Sequence, residues 1–260
     1  MKQRIITAIV ALALLAVVLF WLPPVVVELV IAALVLAGAW EWSGFFVSAT
    51  RPMRIGYVVL VGLLLAAFTS VLAPFAEQLL LISVGWWLLA LLWTFAFPTP
   101  IPEVVRWIAG VLVLVPMNVA LLQLYAVSSW LLLFALLIVW VADTGAYFAG
   151  RFLGRVKLAP SISPGKTWEG VIGGMVAVAL LAFTRAYMTD ANWAILVPFC
   201  LGVGVLSIVG DLTVSMFKRT AGVKDSGTLF PGHGGVLDRV DSIAAAAPLF
   251  AIGTSWVGLR

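Results

Sequence analysis

Residues 129–149 read S-W-L-L-L-F-A-L-L-I-V-W-V-A-D-T-G-A-Y-F-A, an apolar run whose single charged residue is Asp143. About 20 predominantly apolar residues are enough for an α-helix to cross the hydrocarbon core of a bilayer. The run therefore predicts a transmembrane helix with a carboxylate inside it. Charged groups are costly at that depth and usually face a polar cavity. We interpret Asp143 as a candidate functional residue, with a structural ion pair inside the bundle as the alternative.

Similar apolar runs occur along the whole chain, which is 64% hydrophobic and only 10% charged. One run follows the N-terminal M-K-Q-R. It ends in Phe20, Trp21 and Pro23 instead of a small-residue cleavage site, which favours an uncleaved helix over a signal peptide. The others lie at roughly 25–40, 55–72, 78–97, 107–125, 170–188, 193–213 and 242–258. The pattern predicts an all-α polytopic integral membrane protein with about nine transmembrane helices.

The distribution of Lys and Arg predicts the orientation of these helices. With nine spans and a cytosolic N-terminus, thirteen of the fifteen basic residues fall on the cytosolic side. The other side receives only Arg185 and Arg260. This split follows the positive-inside rule and places the C-terminus on the side opposite the cytosol. Topology thus explains the net charge of +4, and we expect no nucleic-acid partner.

The ionic residues divide the chain into two regions. Residues 1–130 are expected to form about five N-terminal spans. Residues 131–260 form a transmembrane region that carries the candidate catalytic groups, with long cytosolic loops at 150–169 and 214–241. The polar chemistry is therefore expected to lie on the cytosolic side of the membrane.

The stretch 211–241, D-L-T-V-S-M-F-K-R-T-A-G-V-K-D-S-G-T-L-F-P-G-H-G-G-V-L-D-R-V-D, concentrates this chemistry. It holds four of the eleven acids, four of the fifteen Lys and Arg, and the only histidine, His233. His233 lies in a glycine-rich turn and could be a turn residue, a phosphate donor or a general acid. A structural or substrate-contact role is favoured over catalysis.

The acids of this stretch stand at predicted helix ends. Asp211 is expected at the cytosolic end of the eighth helix, and if that helix continues, Ser215 and Lys218 share its face. Asp238 and Asp241 lie one turn apart where the ninth helix begins. Carboxylates beside several cations indicate Mg²⁺ held against substrate phosphates. A solvated loop with incidental ion pairs is the alternative.

A second polar segment, 161–170, reads S-I-S-P-G-K-T-W-E-G. It is not a nucleotide P-loop, because Pro160 stands where the motif needs glycine and an apolar helix precedes it. We expect Ser163 to cap a helix that starts at Pro164. Lys166 and Thr167 beside such a helix terminus would attract phosphate.

These residues together resemble the signature of the phosphatidate cytidylyltransferases, the CDP-diacylglycerol synthases. The matching elements are Ser215, Lys218-Arg219, Lys224-Asp225, His233-Gly234-Gly235, Asp238-Arg239 and Asp241, preceded by Ser163-Pro164, Lys166-Thr167 and Glu169-Gly170, and by the pattern around Asp143. The resemblance is sharp over residues 140–242.

The resemblance implies a reaction in which CTP and phosphatidate give CDP-diacylglycerol and pyrophosphate. It implies a homodimeric, multi-pass enzyme of the bacterial inner membrane, working with Mg²⁺ at the cytosolic face of the lipid bilayer. It also implies a second cation, with K⁺ as the candidate, around the acids that match Asp211 and Asp238.

From these readings we assign residue roles as hypotheses. The catalytic candidates are Asp211, Asp238, Lys218 and Arg219. The candidates for substrate binding are Ser163, Lys166, Thr167, Ser215, Lys224, His233 and Arg239. The candidate metal ligands are Asp211, Asp238, Asp143, Asp225 and Asp241. The alternative from another class is a cation-coupled membrane transporter that uses Asp143 and Asp211 as ion sites.

Overall fold

The computed structural model describes residues 2–227 and 234–259, which form nine α-helices and one short β-hairpin. The helices are α1 (Lys2–Trp21), α2 (Pro24–Trp42), α3 (Arg51–Phe68), α4 (Ala76–Ala96), α5 (Glu103–Val127), α6 (Ser129–Leu153), α7 (Trp168–Thr189), α8 (Trp193–Thr220) and α9 (Leu237–Gly253). Between α6 and α7, β1 (Lys157–Ala159) pairs antiparallel with β2 (Ser163–Thr167).

Seven helices, α2 to α8, are long and apolar enough to cross a membrane. The chain is therefore a multi-pass α-helical membrane protein. Of the two remaining helices, α9 has only 17 residues, and the described side chains of α1 include the apolar segment Leu12–Trp21. The count of nine spans and the sides of the two termini stay predictions.

The central helix of the bundle is α9, which packs against α4, α5 and α8. Ala244 to Ala247 and most other residues of α9 are buried. Small side chains allow neighbouring backbones to approach closely, which is how helices pack in membranes. Helix α9 is surrounded by protein, so it does not need the large apolar side chains of a lipid-facing span. This explains why an Ala-rich sequence is sufficient here.

Helices α6 and α7 form an extensive contact that depends on glycine. A Cβ added at Gly174 would lie 2.7 Å from the carbonyl oxygen of Ala142, and one added at Gly170 would lie 2.9 Å from that of Ala146. Real Cβ atoms rarely come this close, so the two backbones touch along this seam. The seam fixes α6, and with it Asp143, against α7.

We expect Gly174→Leu to push α6 and α7 apart and to destabilise the protein by about 1–3 kcal/mol, the usual cost of overpacking. Gly85→Leu is the matched control, because a Cβ at Gly85 on α4 would meet no atom within 4 Å. Thermal unfolding of the detergent-purified protein measures both variants. An equal effect of the two substitutions would contradict the tight α6–α7 seam.

The connections predicted to be cytosolic meet at one end of the bundle, here called the polar end, comprising the described residues 43–50, 97–102, 154–167, 221–227 and 234–236. Trp42 Nε1 on α2 donates to the carbonyl of Arg106 on α5 at 2.8 Å. The Arg106 guanidinium donates to the carbonyl of Phe45 at 2.6 Å. Arg219 on α8 donates to the carbonyl of Ile162 in the hairpin at 3.2 Å. The membrane face that this end occupies remains a prediction.

The structure corrects the predicted role of Ser163. This residue does not cap a helix, because Ser163 and Pro164 belong to β2, whose register pairs Ser163 with Ala159. Helix α7 begins at Trp168, and Thr167 is its N-cap, accepting a hydrogen bond from the Gly170 N–H at 3.2 Å. The cap thus lies four residues later than the sequence indicates.

The predicted loop at 214–241 is shorter than expected because both of its ends are helical. Helix α8 continues to Thr220, and α9 already begins at Leu237. Asp211 therefore lies about 13 Å inside the end of α8, at 1.5 Å of rise per residue. Asp211 thus lies within α8 and not at the helix terminus.

Candidate active site

Asp211 on α8 forms an ion pair with Lys166 and a hydrogen bond with Ser215. Its Oδ2 lies 2.7 Å from the Lys166 ammonium, and its Oδ1 accepts a hydrogen bond from Ser215 Oγ at 3.1 Å. Lys166 comes from β2, so the hairpin folds its strand over this face of α8. The side chains of Lys166 and Asp211 keep 26% and 29% of their exposure, so a solute can reach the pair.

Two further carboxylates face Asp211 from neighbouring helices. Asp143 on α6 and Asp241 on α9 each interact electrostatically and unfavourably with it. Gly210 allows this approach, because a Cβ there would lie 2.5 Å from the carbonyl oxygen of Asp241. Asp143 also interacts with the Ser242 side chain. Carboxylates that repel one another are stabilised by a nearby cation or by binding a proton.

Lys218 supplies part of that compensation. Its ammonium lies 2.7 Å from Asp238 Oδ1 and 3.9 Å from Asp241 Oδ2, and all three side chains are nearly buried. Lys218 also attracts the Asp211 carboxylate. The predicted shared helix face of Asp211, Ser215 and Lys218 is thus confirmed by the continuous helix α8.

Asp238 differs from the other acids, because it also holds the backbone of the α8–α9 connection. Its Oδ2 accepts hydrogen bonds from the N–H of Ser226 at 3.0 Å and of Gly235 at 2.9 Å. From the sequence we expected Asp238 and Asp211 to hold a cation together. In the structure the α9 acid that interacts with Asp211 is Asp241, and Asp238 is linked to Asp211 through Lys218.

The other predicted site residues belong to the hairpin, to the end of α8 and the residues after it, and to the start of α9. Arg219 is exposed at the end of α8 and bonds the carbonyls of Ile162 and Val223. Lys224 and Asp225 are exposed after α8, and Arg239 is exposed in the first turn of α9. Ser163 is half-buried in β2, three residues before Lys166. His233 lies outside the described residues.

The sequence analysis missed Glu41, the buried acid near the end of α2. Its Oε1 accepts from the N–H of Val236 at 2.9 Å, and its Oε2 accepts from the N–H of Leu237 at 2.8 Å and from Ser226 Oγ at 2.9 Å. The available signal was its place in L-A-G-A-W-E-W, where an acid follows directly on an apolar run.

The donor chemistry of Asp143, Asp211 and Asp241 fits Mg²⁺, which prefers carboxylate oxygen. Within residues 2–227 and 234–259, no three Asp, Glu, His or Cys side chains converge as a protein-only metal site. Mg²⁺ needs only one or two carboxylates when phosphates and water provide the remaining ligands. The cluster therefore suits a divalent ion that arrives with a phosphorylated substrate.

Comparison with known proteins agrees with this chemistry. A family model described as "Cytidylyltransferase family" matches residues 2–256. A phosphatidate cytidylyltransferase of Pseudomonas aeruginosa is 42% identical over 260 residues, covering 96% of each chain. One from Haemophilus influenzae is 38% identical over 290 residues, covering 96% of this chain and 97% of the relative. One from Staphylococcus aureus (strain COL) is 48% identical over 124 residues, covering 46% and 47%.

Proposed function

The chain belongs to the cytidylyltransferase family and is a nucleotidyltransferase, and we propose that it transfers the CMP moiety of CTP to phosphatidate. The products are CDP-diacylglycerol and pyrophosphate. The observation that carries this proposal is the cluster of Asp143, Asp211 and Asp241 with Lys166 and Lys218, which lies inside a membrane bundle next to its polar end. Such a site suits a polyphosphate and a membrane-bound acceptor at once.

The chain's own residues would act by positioning and charge neutralisation. A phosphate oxygen of phosphatidate attacks the α-phosphorus of CTP, and the bond to the bridging oxygen of pyrophosphate breaks. The phosphatidate phosphate is already ionised at neutral pH, so no strong general base is needed. Lys166 and Lys218, which now balance carboxylates, would bind phosphate oxygens, and the exposed Arg219, Lys224 and Arg239 are retained as further candidates for phosphate contact.

One or two of the carboxylates of Asp143, Asp211 and Asp241 would hold Mg²⁺, with Asp238 and Asp225 as further candidate ligands. Mg²⁺ bound there would supply charge neutralisation for the triphosphate and the departing pyrophosphate. The interaction of Asp143 and Asp241 with Asp211 also suits a second cation, for which K⁺ is the candidate. Ser163, Thr167, Ser215 and His233 are retained as candidates for substrate contact.

The setting that we propose is the bacterial inner membrane, with the polar end in the cytosol, where CTP is made. The excess of Lys and Arg on the predicted cytosolic side supports this orientation. The acyl chains of phosphatidate would stay in the bilayer while its phosphate reaches the site. We keep the homodimer as an expectation from the family.

The family membership favours this enzyme over the cation-coupled transporter. A transporter would need a polar route to both ends of the bundle. The described contacts instead gather Asp143, Asp211 and Asp241 with two lysines on the side of the bundle next to the polar end.

Purified protein incubated with labelled CTP, phosphatidate micelles and Mg²⁺ is expected to form CDP-diacylglycerol. EDTA should abolish the product, and added Mg²⁺ should restore it. Omission of phosphatidate is the matched control, since hydrolysis of CTP alone would still release pyrophosphate. Absence of CDP-lipid from a folded preparation would reject the proposed function, whereas full activity in EDTA would reject only the divalent ion.

A further inference from the structure

We infer that Glu41 on α2 is a positioning residue for the reaction, which fixes the start of α9 and the residues after α8 by direct hydrogen bonds. The kinetic consequences of this inference rest on the proposed function. Glu41 belongs to α2, and its hydrogen-bond partners lie 185 to 196 residues further along the chain. It therefore joins the N-terminal helices to the candidate site.

The Glu41 carboxylate is matched to the backbone that it holds. Its two oxygens accept the N–H groups of Val236 and Leu237, which are among the first donors of α9 and have no partner within that helix. A negative charge at a helix N-terminus is also favourable for the helix dipole. Glu41 thus replaces the side-chain cap that α9 lacks at its own N-cap residue, Val236.

Glu41 and Asp238 hold the same segments together. Ser226 donates its hydroxyl to Glu41 and its N–H to Asp238. At the other end of the α8–α9 connection, the N–H of Gly235 donates to Asp238 and the N–H of Val236 donates to Glu41. Both ends of the connection are therefore fixed by two acids, one of which also binds Lys218.

The glycines beside Glu41 support a fitted contact. A Cβ added at Gly227 or at Gly235 would collide with the Glu41 carboxylate. The end of α2 that carries Glu41 is itself packed against α8, because the ring of the adjacent Trp42 contacts the ring of Phe217 with centroids 5.0 Å apart. Movement of Glu41 would therefore shift the connection, and with it Asp238 and Lys218.

Glu41→Gln tests this inference, because the amide keeps the size of the side chain and removes one acceptor and the charge. We expect kcat to fall by about 100-fold, the cost of a misplacement of about 1 Å, with a change in KM for CTP below about threefold. Ser226→Ala, which removes one bond to Glu41, should lower kcat less. Its effect should nearly vanish in the Glu41→Gln background, because interacting residues are not additive. Glu28→Gln, on an exposed position of α2, should change nothing.

Hydrogen exchange provides a readout that does not depend on activity. The amides of residues 234–241 should exchange faster in Glu41→Gln than in wild type and in Glu28→Gln. Unchanged exchange, or a kcat within twofold of wild type in both Glu41→Gln and Ser226→Ala, would overturn the inference. If Glu41→Gln fails to fold, Ser226→Ala decides by the same two measurements. If the wild type makes no CDP-lipid, the proposed function fails while the exchange comparison still tests the contact.

Discussion

Replacing Asp211 with asparagine is expected to lower CDP-diacylglycerol synthesis by roughly 100- to 1,000-fold, the scale on which loss of one electrostatic group in a preorganised site acts. The amide keeps the size of the side chain and can still accept from Ser215. It cannot balance Lys166, whose ammonium lies 2.7 Å from Asp211, and it is a weaker ligand for Mg²⁺. The rate of CDP-lipid formation with labelled CTP measures this loss.

Asp190→Asn is the matched control for Asp211→Asn. Asp190 is exposed between α7 and α8 and has φ 51°, in the left-handed region that asparagine tolerates. We expect this variant to keep wild-type activity and stability. Near-normal synthesis by Asp211→Asn would remove Asp211 from the catalytic groups, and an equal loss in both variants would point to a general effect of charge.

Replacing Lys218 with methionine is expected to affect both stability and activity. Lys218 is 7% exposed, and its ammonium is the cation that lies against Asp238 and Asp241. Removing one partner of a buried ion pair typically costs about 3–5 kcal/mol, because the other charge stays buried without compensation. Activity should fall by at least about 100-fold, since the same ammonium is proposed to bind phosphate. Thermal unfolding and the CDP-lipid assay measure the two effects.

Lys224→Met separates these effects from a simple loss of positive charge. Lys224 is exposed after α8, so its removal should leave stability within about 0.5 kcal/mol of wild type. Its activity should fall far less than that of Lys218→Met. If Lys218→Met were as stable as Lys224→Met, the described ion pairs would not contribute to the fold.

The helices could be predicted from the sequence because hydrophobic length is a strong local signal in membrane proteins. The predicted run at 129–149 lies within α6 (Ser129–Leu153), and the run at 193–213 lies within α8. The extension of α8 to Thr220 was not predicted, because residues 214–220 contain Lys218 and Arg219 and no longer resemble a span. Burial of Lys218 against Asp238 makes this charged turn compatible with the bundle.

The hairpin was missed for a different reason. Ser-Pro followed by Lys and Thr is a common start of a helix, and the sequence favoured that reading for Ser163 and Pro164. Strands of three and five residues carry almost no periodic signal. The helix start that does exist, with Thr167 as N-cap, has the same chemistry four residues later.

The sequence indicated candidate residues for the site, but it did not indicate which of them contact each other. Asp211 and Lys218 share a face of α8 as expected, and Asp143 on α6 interacts with Asp211 although 68 positions separate them. The contact of Lys166 with Asp211 depends on the hairpin, which the sequence did not reveal. Glu41 depends on the packing of α2 beside α9, and no local pattern encodes that tertiary contact.

Equilibrium binding of labelled CTP to the purified protein, with and without Mg²⁺, tests the central claim most directly. The account predicts that Mg²⁺ strengthens CTP binding to wild type and to Asp190→Asn. In Asp211→Asn this Mg²⁺-dependent gain should be lost. Equal Mg²⁺-dependent gains in Asp211→Asn and wild type would contradict the claim that the carboxylates around Asp211 hold the ion that binds the nucleotide.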